Sequence, residues 1–524
     1  MDLSTPSSTL VRRLLSLAAV AGFAVVCLPA ACGGSGGGSN FNPFGGDGGG
    51  SGGSSGGGNL IGDDGGGSSS GGTAGAQCPP GDQCDVSCSG GGTTSISGKV
   101  YDPALKNGLY NIAVYVPGAP LVALPKGVPT GGDACNCGAL FKSGAVVSTA
   151  TGVDGAFKLT NAPVGPNVPL VLQVGKWRRL VHVNTTQCQD APQADKSLSL
   201  PATVAAGDTD DNIPDIAVST GSADTLECLL KRIGLPDSEY AAGAGGSGHI
   251  HVFAGGKSGG GGGGGGVGRP ENPGMQGAPP SSTTLWDSQA HMMPYDIVLL
   301  SCEGAETYNA NPAVLEQYLN AGGRGFASHF HYAWFAGPIG SNQAYAAPAD
   351  WGTALSAWAP GSGGLGNQAN GKIVQTLNGS TQPFAKGVAL FQWLGLNKAL
   401  GVNGAPPQEL PIIQPRFNSV VGPANKPSQP WIVDDATPNT MYFSFDTPVN
   451  APANPDGGAP NYCGRAVFSD LHVGGGSADS QNPPGGCATA DLSPQEKALE
   501  FMLFDLSSCV IPDTVPPSSG GVPQ

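Results

Sequence analysis

Charge is scarce in this sequence. Asp, Glu, Lys and Arg make up 12% of its 524 residues, about half the share usual in soluble domains. Cations are the scarcer kind: 23 Lys and Arg against 38 Asp and Glu leave a net charge of −15. Binding to nucleic acid demands a basic surface that neutralises phosphate, so nucleic acid is excluded as a partner. Electrostatic docking on anionic lipid is excluded on the same ground. No apolar run reaches the ~20 residues of a membrane-spanning helix; the longest is Leu14–Leu28. Glycine and proline, by contrast, abound. There are 87 Gly and 46 Pro, together a quarter of the chain, and both disfavour the interiors of helices and strands. Hydrophobic residues at 39% still suffice for packed cores, and the length suggests roughly two to four domains.

The N-terminus reads as an export signal over residues 1–31. Arg12 and Arg13 precede the apolar run, which ends Leu28-Pro29-Ala30-Ala31-Cys32. A basic stretch before a short apolar core is the pattern of a secretory signal. Small residues before Cys32 resemble a bacterial lipobox, and that resemblance implies a diacylated Cys32 anchored in a lipid bilayer. Ordinary signal cleavage after Ala31, which releases a soluble protein, is the alternative. Residues 32–92 then form a linker; between 33 and 76 it holds 22 Gly and 8 Ser, the composition of a flexible tether. The expectation is an exported, lipid-anchored protein of the cell envelope, in the periplasm or outer membrane or on the surface. Eleven cysteines follow Cys32, and export permits disulfides among them, with at least one thiol left over.

From Thr93 the pattern changes to short β-branched runs: Ser95–Tyr101, Ile112–Val116, Ala145–Ser148, Ala156–Leu159 and Val168–Val174, separated by Gly, Pro, Asn and Asp. Strands this short and this closely spaced predict an all-β sandwich. The segments SISGKVYDPALKNGLYNIAVYV and TATGVDGAFKL resemble the carboxypeptidase regulatory-like, transthyretin-like domain. The resemblance covers residues 93–205 and implies a non-catalytic module. Lys176-Trp177-Arg178-Arg179 reads as a solvated edge-strand cluster that deters edge pairing, with a glycan or anion site as the alternative. Asp208, Asp210, Asn212 and Asp215 fall at roughly calcium-loop spacing and resemble an aspartate-rich thrombospondin-like repeat. They lack the turn glycine of such a loop and read as an acidic linker.

The rest, residues 206–512, predicts a second domain of doubly wound, flavodoxin-like α/β type. Strands over 215–219, 249–254, 295–302 and 322–328 alternate with helical patterns over 223–233, 284–292 and 312–321, as a parallel sheet requires. Tyr295–Cys302 holds the continuous apolar run Ile297–Leu300, the signature of a strand buried on both faces. A closing helix begins Ser493-Pro494-Gln495-Glu496, with a Ser N-cap, Pro at the first position and Glu at the third. YDIVLLSCEG followed by VLEQYLNAGGRGFASHFH resembles the class I glutamine amidotransferase-like fold, in particular its ThuA-like branch. CGRAVFS followed by Asp470-Leu471-His472 resembles the late strand that delivers the histidine and acid of that fold. The resemblance treats 336–445 as a Pro/Gly-rich insertion carrying Trp351, Trp358, Trp393 and Trp431, and leaves 513–524 as a disordered tail. It also implies a nucleophilic Cys at the turn where this chain has His329, so glutamine hydrolysis is not expected.

His329, His331, Asp470 and His472 all fall just past the C-terminal ends of predicted parallel strands, the edge where open α/β sheets bind ligands. Two His at i and i+2 with an Asp-x-His offer four donors for a divalent metal. The same groups, with Glu303, can instead serve as acid and base, or they can merely cap strand ends. His249 and His251 flank another strand end. Cys302 is expected in a disulfide, with Cys228 as a candidate partner; a nucleophilic thiolate, which needs exposure and a partner base, is the alternative. Lys257-Ser258 is not a phosphate loop, because the first glycine of that motif falls on His251. Two functional readings result. One is a tethered binding or structural module, with a glycan or an envelope protein as partner and the tryptophans suited to glycan stacking or to a core. The other is an exported hydrolase-like enzyme, metal-dependent or His/Asp-based, with its site at that strand edge and carbohydrate as a candidate substrate.

Overall fold

The structure, a computed structural model, describes residues 76–221, 224–256, 277–359, 368–452, 460–472, 487 and 491–517. The signal segment, Cys32, the tether to residue 75 and the eight-glycine run lie outside the described residues. The whole is a mixed, β-rich assembly.

The first part contains eight strands: β1 (Ser95–Tyr101), β2 (Ala113–Pro117), β3 (Ala145–Ala150), β4 (Ala156–Thr160), β5 (Val168–Val174), β6 (Trp177–Val183), β7 (Asp190–Pro192) and β8 (Leu198–Ser199). In one four-stranded sheet β1 pairs antiparallel with β4 and parallel with β7 and β8; the other is antiparallel in the order β3-β2-β5-β6. Alternate residues Ile96 and Val100, Val114 and Val116, and Leu170 and Leu172 are fully buried in one shared cluster, as the period of two along a strand dictates. Residues 76–92, expected in the linker, belong here: Cys88 is bonded to Cys188, Cys78 closes on Cys84, and Gln83 bridges Val164.

The second part is built on one ten-stranded sheet. Its elements are β9 (Ile216–Ser219), α1 (Leu226–Arg232), β10 (Tyr240–Ala242), β11 (Ile250–Phe253), α2 (Gln289–Met292), β12 (Ile297–Leu300), α3 (Pro312–Asn320), β13 (Arg324–Ser328) and α4 (Tyr332–Ala336). There follow β14 (Ala357–Trp358), β15 (Gln368–Ile373), α5 (Ala385–Leu396), β16 (Leu410–Ile413), β17 (Ser419–Val420), β18 (Ser428–Asp434), β19 (Thr440–Thr447), β20 (Gly464–Ser469) and α6 (Pro494–Ser507). The order is β10-β11-β9-β12-β13-β20-β19-β18-β15-β16. The strands from β10 through β20 are mutually parallel, and those beyond are antiparallel. Ile216, Val218, Ile297 and Leu299 face one core, and Ala217, Val298 and Leu300 face another. This two-sided burial explains the continuous apolar run of β12. Helix α6 opens as its sequence predicts: Ser493 Oγ accepts from the Glu496 N–H, and the Glu496 carboxylate accepts from the Ser493 N–H at 2.8 Å.

Several expectations need correction. The sheet is mixed rather than wholly parallel, because 336–445 is no appendage: β15, β16, β18 and β19 extend the sheet itself. Trp351, Trp393 and Trp431 are at most 2% exposed, and Trp358 is half-buried against Phe335 and Phe468, so these rings build core. Lys176 and Arg178 are not solvated. Lys176 Nζ donates to Pro125 O and Gly127 O and pairs with Asp296, while Arg178 donates to Thr209 O and Asp210 O of the acidic linker. Cys228 pairs with Cys487 rather than with Cys302. His249 and His251 lie at the start of β11, the edge opposite the strand ends that carry the other candidates. The tail begins in place, with Asp513 accepting from Arg465 at 2.9 Å.

The two parts are welded together. Disulfides Cys135–Cys463 and Cys137–Cys509 cross between them. Tyr110 stacks on Phe501, Trp177 packs on Phe504, and Trp393 donates to Gly108 O at 2.7 Å. Gly175 turns the β5–β6 hairpin at φ +54°, and a Cβ there would lie 1.8 Å from Ser507 O at the end of α6, so only glycine fits.

Candidate functional site

Three parallel strands deliver side chains to one point. Cys302 lies two residues past β12, His329 directly follows β13, and His472 lies three residues past β20. Their donor atoms all fall within 4.8 Å of one another. The register that aligns Ser328 with Ser469 makes this convergence a property of the sheet. Cys302 Sγ lies 3.1 Å from His329 Nδ1, and the His329 and His472 rings are 4.8 Å apart. None of the three is more than 6% exposed.

His329 holds the sharp turn after β13 at φ +44°, a left-handed conformation that costs a non-glycine residue about 1–3 kcal/mol. That turn points its ring back over the strand ends. Cys302 is fixed from behind: its N–H donates to Ser328 Oγ at 3.0 Å, and that hydroxyl donates to Asp224. Gly221 permits the close approach, since a Cβ there would lie 2.0 Å from Cys302 O.

The surroundings set the protonation. Burial, and after it the Asp224 carboxylate, push the Cys302 thiol far up, against the Phe330 and Gly304 N–H groups and Arg416. Burial holds His472 down to about 3, with Arg416 adding to it. His329 is also lowered, by burial first and then by His472 and Arg416. At neutral pH the group is therefore a protonated thiol beside two neutral imidazoles. Among the described residues neither ring nitrogen of His472 has a hydrogen-bond partner.

The remaining candidates stand close by but outside this set. Asp470 Oδ2 accepts from the Asn418 N–H at 2.8 Å, and burial raises its carboxyl to about 8. His331 turns away: its Nδ1 lies 3.2 Å from Ser328 O and its Nε2 lies 3.9 Å from Glu303. Burial lowers His331 to about 4 and raises Glu303 to about 7. Of the proposed donors His329, His331, Asp470 and His472, the structure thus brings together His329 and His472 and adds Cys302. Sequence reasoning missed Cys302 in this role, along with Arg416 and Asn418. Its placement just past an apolar strand was the available signal for Cys302. For Arg416 and Asn418, which come from 336–445, there was none.

A buried thiol that holds its proton is a poor nucleophile, whereas a sulfur and two neutral imidazoles form a set of metal donors. Comparison with protein-family models, with curated proteins and with solved structures finds no match.

Proposed function

We propose that this chain is an exported envelope protein, anchored to the bilayer through acylated Cys32, whose folded part is a binding or structural module and not a glutamine amidotransferase. One observation carries the second half of the proposal: the turn that would hold the nucleophile carries His329, and the nearby Cys302 thiol is 0% exposed. The resemblances support the architecture. Two sheets over a common core suit the carboxypeptidase regulatory-like sandwich. The neighbours β11-β9-β12-β13-β20 follow the flavodoxin-type order, as a ThuA-like domain requires. A glycan or an envelope protein is the partner this reading expects, bound on a surface other than the tryptophans.

The hydrolase-like alternative draws on Glu303 and Asp470, whose carboxyls keep their protons near neutrality, a trait that clusters at catalytic sites. Two measurements test the proposal. Cys32→Ser should move the protein from the membrane fraction to the soluble fraction. The wild-type protein should release no ammonia from glutamine. Ammonia release abolished by Cys302→Ala would overturn the reading, and so would membrane association unchanged in Cys32→Ser.

A further inference from the structure

We infer that Cys302, His329 and His472 form a binding site for one copper ion, held by a thiolate and two imidazoles. The inference concerns these three side chains alone and stands whether or not the chain is tethered.

Three independent observations point the same way. The first is the donor set: one sulfur and two imidazole nitrogens within 4.8 Å of one another. A thiolate with two imidazoles in a trigonal arrangement is characteristic of copper. The second is His472, 2% exposed, with neither ring nitrogen bonded among the described residues. Leaving a buried polar group unpaired is costly, and a bound metal satisfies one of these nitrogens directly. The third is the state of Cys302. The ten other cysteines among the described residues are all paired in disulfides, and this one remains a buried thiol. A thiol without a cysteine partner, set against two imidazoles, is suited to a soft metal.

The set also discriminates between metals. Zinc seeks four ligands, and an open zinc site completes its shell with water. Asp470 and His331 lie outside the cluster, and the three donors are closed off from solvent. A three-coordinate cuprous ion needs neither a fourth donor nor a water. On binding, the Cys302 S–H bond breaks, its proton leaves to solvent, and a sulfur–copper bond forms, with no change of oxidation state.

The test uses the full-length exported protein, stripped of metal and loaded anaerobically with cuprous ion in the presence of zinc. Wild type should retain about one copper per chain through desalting. Cys302→Ser and His472→Ala should each weaken retention by at least about tenfold. His291→Ala, which removes an exposed imidazole with a 61% accessible side chain, should change nothing. A separate sample loaded with cupric ion in place of cuprous ion should show an intense visible charge-transfer band from thiolate to copper, a readout that needs no variant. Zinc retained in place of copper would overturn the inference. So would copper retained equally by Cys302→Ser, copper lost in His291→Ala, or bound cupric ion without that band.

Discussion

Replacing His472 by leucine should make the metal-free protein more stable, and increasingly so as the solution is acidified. In the folded chain the ring is 2% exposed, and both nitrogens lack partners among the described residues. An unsatisfied buried group costs about 1–3 kcal/mol. Leucine removes that cost, and its imperfect fit returns at most about 1.5 kcal/mol. The expected gain near pH 7 is therefore about 1 kcal/mol. The acid side adds a second contribution. Burial holds His472 down to about 3, whereas in the unfolded chain a histidine titrates near 6.5. Below 6.5 the unfolded state takes up a proton that the folded state refuses, so wild type loses stability as pH falls, down to the folded value. By pH 5 this loss reaches about 2 kcal/mol, and leucine is immune to it. Urea unfolding of both proteins at pH 7 and pH 5, with disulfides intact, measures the difference directly. A variant less stable than wild type at pH 7 would mean that the ring is hydrogen-bonded. An equal difference at both pH values would mean that it titrates normally. Either result refutes the reasoning.

The inter-part disulfides should contribute strongly to stability. With its neighbour intact, Cys135–Cys463 closes an effective loop of about 48 residues, so replacing that pair by serine should cost about 4 kcal/mol, and removing both pairs about 9. Urea midpoints measure this, and unchanged midpoints would show that the remaining contacts alone hold the parts together. Trp431 is fully buried and donates to Ser444 Oγ at 2.8 Å; Trp431→Ala should cost about 3–5 kcal/mol, whereas a surface glycan platform would lose sugar binding with little change in thermal unfolding. Burial, with Asp102 beside it, raises the Glu500 carboxyl well above its ordinary range. The unfolded chain then releases a proton that the folded chain keeps, and stability falls as pH rises from about 4.3. Glu500→Gln should flatten the decline in melting temperature between pH 5 and 8, and equal declines in both proteins would contradict this.

Much of the architecture was legible because local rules agreed with the final structure. The apolar run of β12 and the Ser493 capping box each carry their signal within a few residues. The antiparallel half of the sheet was not legible. Its strands lie among prolines and glycines, and part of their pairing is set by partners far away in sequence, as β18 pairs with β15 more than fifty residues before it. Lys176 and Arg178 resembled surface cations, because nothing local announces that Asp296 will meet Lys176 or that the acidic linker will fold over Arg178. His329 and His472 could be placed by the rule that strand ends carry sites. Cys302 could not, because in a sequence read as exported a cysteine is first assigned to a disulfide. Only the three-dimensional pairing of the other ten left it over.

The cross-links between the two parts also bear on the order in which the protein can be made. Cys135 and Cys137 are synthesised long before their partners, which lie 328 and 372 residues further along the chain. The first part cannot be sealed when its own strands are complete. It waits, with two thiols unpaired, until β20 and the end of α6 arrive. Cys88–Cys188, which spans 100 residues, can close early and hold that intermediate together. Closure is therefore late, and Cys509 completes the part that was synthesised first.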